Sequence, residues 1–163
     1  MGVEIERKFL LASDAWRAEV ERSQRMDQGY LGGERASVRV RIAGDQALLN
    51  IKSKQGGAAR LEFEYPLPLD DARQLLDALA LPGRIAKQRH YVRHAGHLWE
   101  IDEFEGDNAG LVVAEIELTR TDEDFVRPPW LGAEVTDDLR YYNAALAQHP
   151  YGRWTATDKE DRC

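Results

Sequence analysis

Along most of the chain apolar and polar residues alternate one for one, the period of a strand with one buried face. Such segments run over about 2–11, 25–31, 36–43, 46–54, 59–67, 84–94, 97–105 and 111–120, each rich in Val, Ile, Leu, Tyr or Phe. Turn residues separate them, among them Gly32-Gly33, Gly44-Asp45, Gly56-Gly57 and Gly106-Asp107-Asn108. The period lengthens between the fifth and sixth segments. There Leu69, Ala72, Leu75, Leu76 and Leu79 recur at helical spacing and Pro82-Gly83 forms a stop, which predicts an amphipathic helix over 69–81. Ser13 to Glu21 reads as a short helix capped by Ser13 or Asp14, and 122–148 as helical pieces interrupted by Pro128-Pro129 and Gly132. Residues 1–150 read as one domain and 151–163 as a polar, flexible tail. Strands joined by turns this short pair antiparallel.

The polar half of the alternation is ionic. Glu4/Glu6 (extended by Lys8), Arg39/Arg41, Glu62/Glu64, Lys87/Arg89, Glu100/Asp102 and Glu115/Glu117 each stand at i and i+2, so each pair projects from one face of its strand. Lys52 is the charge of the fourth strand, with Lys54 two residues further on. Any one strand so built is an ordinary half-solvated strand. The whole set is different, because like charges side by side repel, and Thr, Ser or Gln would keep a surface soluble at lower electrostatic cost. Eight such strands closing into an antiparallel barrel would remove every exposed edge and turn the charges inward, leaving an apolar outside for the helices to cover. The expected fold is therefore mainly β with flanking helices (α+β): an eight-stranded antiparallel tunnel with a charged interior.

Composition narrows the partners. The 163 residues carry 31% charged side chains and a net charge of −7, which argues against a general electrostatic grip on nucleic acid or on an anionic membrane. The only cysteine, Cys163, permits neither an internal disulfide nor a cysteine zinc site, and a cytoplasmic location is expected. No uncharged run approaches the roughly 20 residues of a membrane span. His90, His94 and His97 straddle a turn at Gly96 and are set aside as surface residues, and neither a P-loop nor a G-x-G-x-x-G fingerprint occurs.

Enclosing so many charges costs several kcal/mol per ion unless each is paired, solvated or metal-bound. Dense carboxylates are oxygen ligands for hard divalent cations, and clustered Arg and Lys are partners of phosphate oxygens. Together they describe a metal–polyphosphate site. Glu4-Ile5-Glu6-Arg7-Lys8 resembles the E-x-E-x-K signature of the CYTH superfamily, the triphosphate tunnel metalloenzymes. Further resemblances follow in order: Arg39-Val40-Arg41, Lys52 after Leu49-Asn50-Ile51, Glu62-Phe63-Glu64, Lys87-Gln88-Arg89, Trp99-Glu100-Ile101-Asp102, Ala114-Glu115-Ile116-Glu117-Leu118 and the segment Glu134 to Asn143. Asn50 departs from the Thr or Ser often found there in relatives.

The resemblance implies an eight-stranded tunnel and distributes the roles. Glu4, Glu6, Asp102, Glu115 and Glu117 would hold metal, with Glu62 and Glu64 in support, while Lys8, Arg39, Arg41, Lys52, Lys87 and Arg89 would cradle the phosphates. The expected activity is metal-dependent hydrolysis of tripolyphosphate to pyrophosphate and phosphate, with two Mg²⁺ or Mn²⁺ ions, in a monomer or homodimer. Other activities of the family, thiamine triphosphatase and class IV adenylyl cyclase, or plain polyphosphate or nucleotide binding, are the alternatives. A lysine among other cations should have a depressed pKa, which makes Lys8 and Lys87 candidate bases as well as phosphate ligands, with Tyr30 a second-tier catalytic candidate.

Overall fold

The computed structural model describes residues 2–54 and 58–160, so the Gly56-Gly57 turn and Cys163 lie outside the described residues. Its strands are β1 (Gly2–Leu11), β2 (Val20–Gly32), β3 (Ala36–Ala43), β4 (Gln46–Ser53), β5 (Ala59–Leu67), β6 (Ile85–His94), β7 (His97–Phe104), β8 (Val112–Leu118) and β9 (Leu131–Glu134). The helices are α1 (Leu69–Ala78), α2 (Asn143–Gln148) and α3 (Ala156–Glu160). The sheet runs β5-β4-β3-β2-β6-β7-β8-β1, and a β5–β1 pairing closes it into an eight-stranded barrel in which every pairing is antiparallel.

β1 closes the ring from both sides. Its Ile5–Leu10 stretch pairs with β8, while β5 takes only Gly2 to Ile5 on the other edge. β9 occupies what β5 leaves there, pairing at Phe9 and Leu11. This corrects the helical reading of 122–148: Pro128-Pro129 and Gly132 suppress helix before Leu139, a free strand edge recruits Leu131–Glu134, and helix is confined to a 3₁₀ turn at Leu139–Tyr141 and to α2. Likewise the helix expected over 13–21 shrinks to a 3₁₀ turn at Ala15–Glu19, because Val20 to Gln24 lengthen β2 by pairing with β6.

Two apolar clusters coat the barrel. Phe9, Trp99, Ile101, Ile116 and Trp130 pack outside β1, β7 and β8, whereas Ala72 and Leu76 of α1 cover Val40 and Ala47. The third cluster is inside, and it adds an apolar end to the charged interior. Ile85, Phe104, Val113 and Leu10 each lie two residues from an inward charge (Lys87, Asp102, Glu115 and Lys8), so they share the inner face. In antiparallel strands these four positions fall at one end of the barrel. Val135, Tyr141, Leu146 and Trp154 pack onto them and plug that end.

Gly83, at φ +97°, lets the chain pass close under α2: a Cβ there would collide with the Ala147 carbonyl. The segment after Pro150, expected to be a polar tail, begins with a 3₁₀ turn at Tyr151–Arg153 and with a buried Trp154, whose indole donates to the His149 carbonyl at 3.1 Å. A single large aromatic outweighs the polar composition around it. Among the described residues no helix is long and apolar enough to cross a membrane.

Candidate active site

The unplugged part of the barrel interior is a cavity of about 550 Å³. Its walls include Glu4, Glu6 and Lys8 from β1, Tyr30 from β2, Arg39 and Arg41 from β3, Lys52 from β4, Glu62 and Glu64 from β5, Arg89 from β6, Glu100 from β7, and Glu115 and Glu117 from β8. Strand alternation and register explain the convergence. Lys8 stands opposite Glu115, Glu6 opposite Glu117, Arg39 opposite Asn50 and Lys52 opposite Glu62, so each inward pair meets another from the next strand.

Most of these charges are matched. Lys8 Nζ donates to Glu115 Oε1 at 2.6 Å, and Lys52 Nζ donates to Glu4 Oε1 at 2.8 Å and lies 3.4 Å from Glu62 Oε2. Asn50 Nδ2 reaches both Glu62 and Glu64, at 3.2 and 3.1 Å. Arg89 Nη1 lies 2.5 Å from Glu100 Oε2, and its Nε and Nη2 form a fork on Asp102 at 2.7 and 2.9 Å.

Two predicted residues do not reach the cavity. Lys87 is 0% exposed, with Nζ donating to Asp102 Oδ2 at 2.7 Å and to Asn143 Oδ1 at 3.0 Å. Asp102, expected to ligate metal, instead accepts from Lys87 and the Arg89 fork and lines no part of the cavity wall. Both belong to a buried ionic layer between the cavity and the apolar plug. The cause is position along the strand: each lies one inward step nearer the plugged end than its partner, Arg89 or Glu100.

The expected depression of lysine pKa holds for one lysine only. Burial, together with Arg89 and Arg41, pushes Lys87 well below its usual value despite Asp102. Burial also works against the Lys8 ammonium, but Glu115 and Glu6 outweigh it and leave Lys8 above the ordinary lysine value. Lys8 therefore stays a cation and is a poor base. Arg41 is pushed down to about 9 by burial and by Arg39 and Arg89, which still leaves it charged at neutral pH.

Two further features stand out. Arg39 and Arg41 have no carboxylate within ion-pair distance among the described residues. Arg39 is 7% exposed and its Nε has no hydrogen-bond partner, and Arg41 Nε donates to the neutral side-chain oxygen of Gln28 at 2.8 Å. Across the cavity, Glu117 has no cationic partner among the described residues. Burial and the nearby Glu4, Glu100, Glu62 and Glu6 carboxylates raise its pKa. The site thus has a cation-rich side and a carboxylate-rich side.

Among the described residues no three His, Cys, Asp or Glu side chains stand together as a ready metal cage. The donor chemistry nonetheless fits a hard divalent cation: the carboxylate-rich side is all oxygen, and its mutual repulsion is what a bound cation would relieve. His90 instead bonds Ser23 and Glu103, and His97 bonds Glu123.

Sequence reasoning gave no role in the site to Arg60, Gln28, Tyr142 and Asn143, although the last two end the Glu134–Asn143 segment that resembles the family. Arg60 Nη2 donates to Glu6 Oε1 at 3.0 Å, and its place two residues before Glu62 was the available signal. Tyr142 lies under both Lys8 Nζ and the Arg60 guanidinium, 4.7 and 5.0 Å from its ring centre, and its hydroxyl donates to the Thr136 carbonyl at 2.7 Å. No alternation marks Tyr142 or Asn143, because they enter from the C-terminal segment and not from a barrel strand.

The profile of the CYTH domain matches residues 2–151. The chain is 41% identical to the inorganic triphosphatase of Acetivibrio thermocellus over 152 residues, 93% of this chain and 97% of that protein. It is 36% identical to the inorganic triphosphatase of Nitrosomonas europaea, covering 88% of this chain and 96% of that one. Among solved structures, the inorganic triphosphatase NE1496 superposes with a TM-score of 0.65 at 34% identity, over 90% of this chain and 95% of its own. HpAC1 from Hippeastrum, at 18% identity and a TM-score of 0.54 over 72% of this chain and 80% of its own, shares the fold.

Proposed function

The chain belongs to the CYTH domain family, and from that premise we propose that it is an inorganic triphosphatase, hydrolysing tripolyphosphate to pyrophosphate and phosphate with the help of Mg²⁺ or Mn²⁺. The observation that carries this reading is the pair Arg39 and Arg41: two neighbouring guanidinium groups facing the cavity with no carboxylate within ion-pair distance among the described residues. Burying unmatched cations is costly, and a linear triphosphate, which brings several negative charges, is the ligand that removes the cost.

In this reading Arg39, Arg41, Lys52, Arg89 and Lys8 bind and orient the phosphates. Lys87 and Asp102 act one layer back: Asp102 fixes the plane of the Arg89 guanidinium, and Lys87 completes its charge balance. Glu4, Glu6, Glu115 and Glu117, supported by Glu62 and Glu64, are the residues that would hold two divalent cations. When bound, such ions neutralise phosphate charge and acidify the attacking water. The protein's own share is positioning. The cations align the phosphoanhydride, the plug excludes bulk water from the inner end, and Tyr30 on the wall is a hydroxyl available to the phosphates.

Inorganic substrate is favoured over thiamine triphosphate or ATP because the described residues give the cavity no aromatic slot. Its aromatic wall residues are Tyr30 and Tyr142, and the Tyr142 ring is already covered by Lys8 and Arg60. The net negative charge and absence of internal disulfides suit a cytoplasmic enzyme acting on a small molecule, as a monomer or homodimer. The purified protein, given tripolyphosphate, ATP or thiamine triphosphate with Mg²⁺, Mn²⁺ or chelator, should release phosphate from tripolyphosphate in a metal-dependent way. Cyclic AMP from ATP, or no phosphate from tripolyphosphate, would reject the proposal.

A further inference from the structure

Asn143, the first residue of α2, sits between the cavity and the buried ionic layer. Its Oδ1 accepts from Lys87 Nζ and from Gln28 Nε2, each at 3.0 Å. Both amide orientations follow from the Arg41 guanidinium. Arg41 Nε can only donate, and it does so to the Gln28 side chain, so the Gln28 atom facing it is Oε1 and the Gln28 nitrogen must turn towards Asn143. That nitrogen can only donate, so the Asn143 atom facing it is the oxygen, which Lys87 Nζ meets as well. The orientation of both amides is thus set from the Arg41 end of one chain of bonds.

One donor is left over. Asn143 Nδ2 has no hydrogen-bond partner among the described residues, and Asn143 lines the cavity while Lys87 and Gln28 are fully buried behind it. With Oδ1 turned to the buried side, Nδ2 is turned to the cavity.

We infer that Asn143 Nδ2 donates a hydrogen bond to a phosphoryl oxygen of the triphosphate at the inner end of the cavity, beside Arg41; this deepens the triphosphatase reading and rests on it. The Arg41–Gln28–Asn143 chain holds the guanidinium and the amide in one relative geometry, so a single phosphoryl group meets a charged donor and a neutral one together. A neutral donor suits this place, since a further cation would add to the crowding of Arg39, Arg41 and Arg89.

The variant Asn143→Asp separates this role from a structural one. It keeps an oxygen for Lys87 and Gln28 but replaces the free NH₂ by a carboxylate oxygen that repels phosphate. Asn143→Ala removes both functions. A binding role therefore predicts that Asp is worse than Ala, and a structural role predicts the reverse. Titration calorimetry of tripolyphosphate in chelator should show Kd raised roughly 10-fold in Asn143→Ala and on the order of 100-fold in Asn143→Asp, with the Asp variant melting near the wild-type temperature.

Asp binding as tightly as wild type, or more tightly than Ala, would overturn the inference. Should the Asp variant fail to fold, the unmutated protein still decides. With the three asparagines, Asn50, Asn108 and Asn143, labelled with ¹⁵N, tripolyphosphate should shift the Asn143 side-chain NH₂ resonance, and no shift would overturn the inference. Failure of wild-type protein to bind or hydrolyse tripolyphosphate would instead strike the triphosphatase reading itself.

Discussion

Replacing Arg39 by methionine should move stability and binding in opposite directions. The side chain is 7% exposed, its Nε lacks a partner, and no carboxylate lies within ion-pair distance among the described residues. Methionine keeps most of the aliphatic stem and discards the unmatched charge. Apolar replacement of buried ions is neutral or stabilising by about 1–4 kcal/mol even when the ions are paired, so a gain of about 1–2 kcal/mol is expected for this unpaired one. In a chain of this length that is a rise of roughly 2–8 °C in Tm. Tripolyphosphate would lose two charge-assisted contacts, about 3 kcal/mol or more, and its Kd should rise on the order of 100-fold.

Arg89→Met is the control. It strips the fork from Asp102, whose contacts are 2.7 and 2.9 Å, and leaves a buried carboxylate with only Lys87 for a partner among the described residues, at a cost of about 3–5 kcal/mol. Thermal melts in chelator, with calorimetric titration of tripolyphosphate, measure both quantities. If Arg39→Met melts as far below wild type as Arg89→Met does, Arg39 has a structural partner and the claim of an unmatched cation is wrong.

Glu117→Gln should stabilise the metal-free protein. The folded state holds the Glu117 proton to higher pH than an unfolded chain does, so stability falls as pH rises from the ordinary glutamate value through the raised one, and stays lowered above it. The gain at pH 7 should be under about 1 kcal/mol, since solvent still reaches much of Glu117 and screens the repulsion, and should vanish below about pH 4; equal melting of the two proteins at both pH values would deny the repulsion. Gly83→Ala forces a Cβ against the Ala147 carbonyl at a positive φ, so it should cost about 1–3 kcal/mol in a thermal melt and raise KM by displacing α2 and Asn143. An unchanged KM would mean that α2 can shift without disturbing the site.

The barrel was legible because its inner face is ionic: i and i+2 charges such as Arg39/Arg41 and Glu115/Glu117 mark both the strands and the side they turn inward. The plug was harder to see. Ile85, Phe104, Val113 and Leu10 share that inner parity but look like ordinary core residues, and only antiparallel pairing shows that they meet at one end. The same end effect removes Lys87 and Asp102 from the cavity. β9 has four residues, one of them Gly132, and exists because β5 leaves part of an edge open, a tertiary cause with no local signal. Tyr142 and Asn143 obey no strand period; the sequence marks them only as the end of the Glu134–Asn143 resemblance, and the fold is what sets them beside Lys8 and Lys87.

The ring closes on β1, whose residues meet β8 more than a hundred positions later, as in the pair Lys8 and Glu115. Contacts so distant in sequence cannot form until nearly the whole polypeptide has left the ribosome, which predicts slow, cooperative folding and no partial catalytic competence on the way. A product truncated before β8 would leave the ring open and its ionic stripes in solvent, so phosphate release doubles as a report that synthesis has passed Leu118.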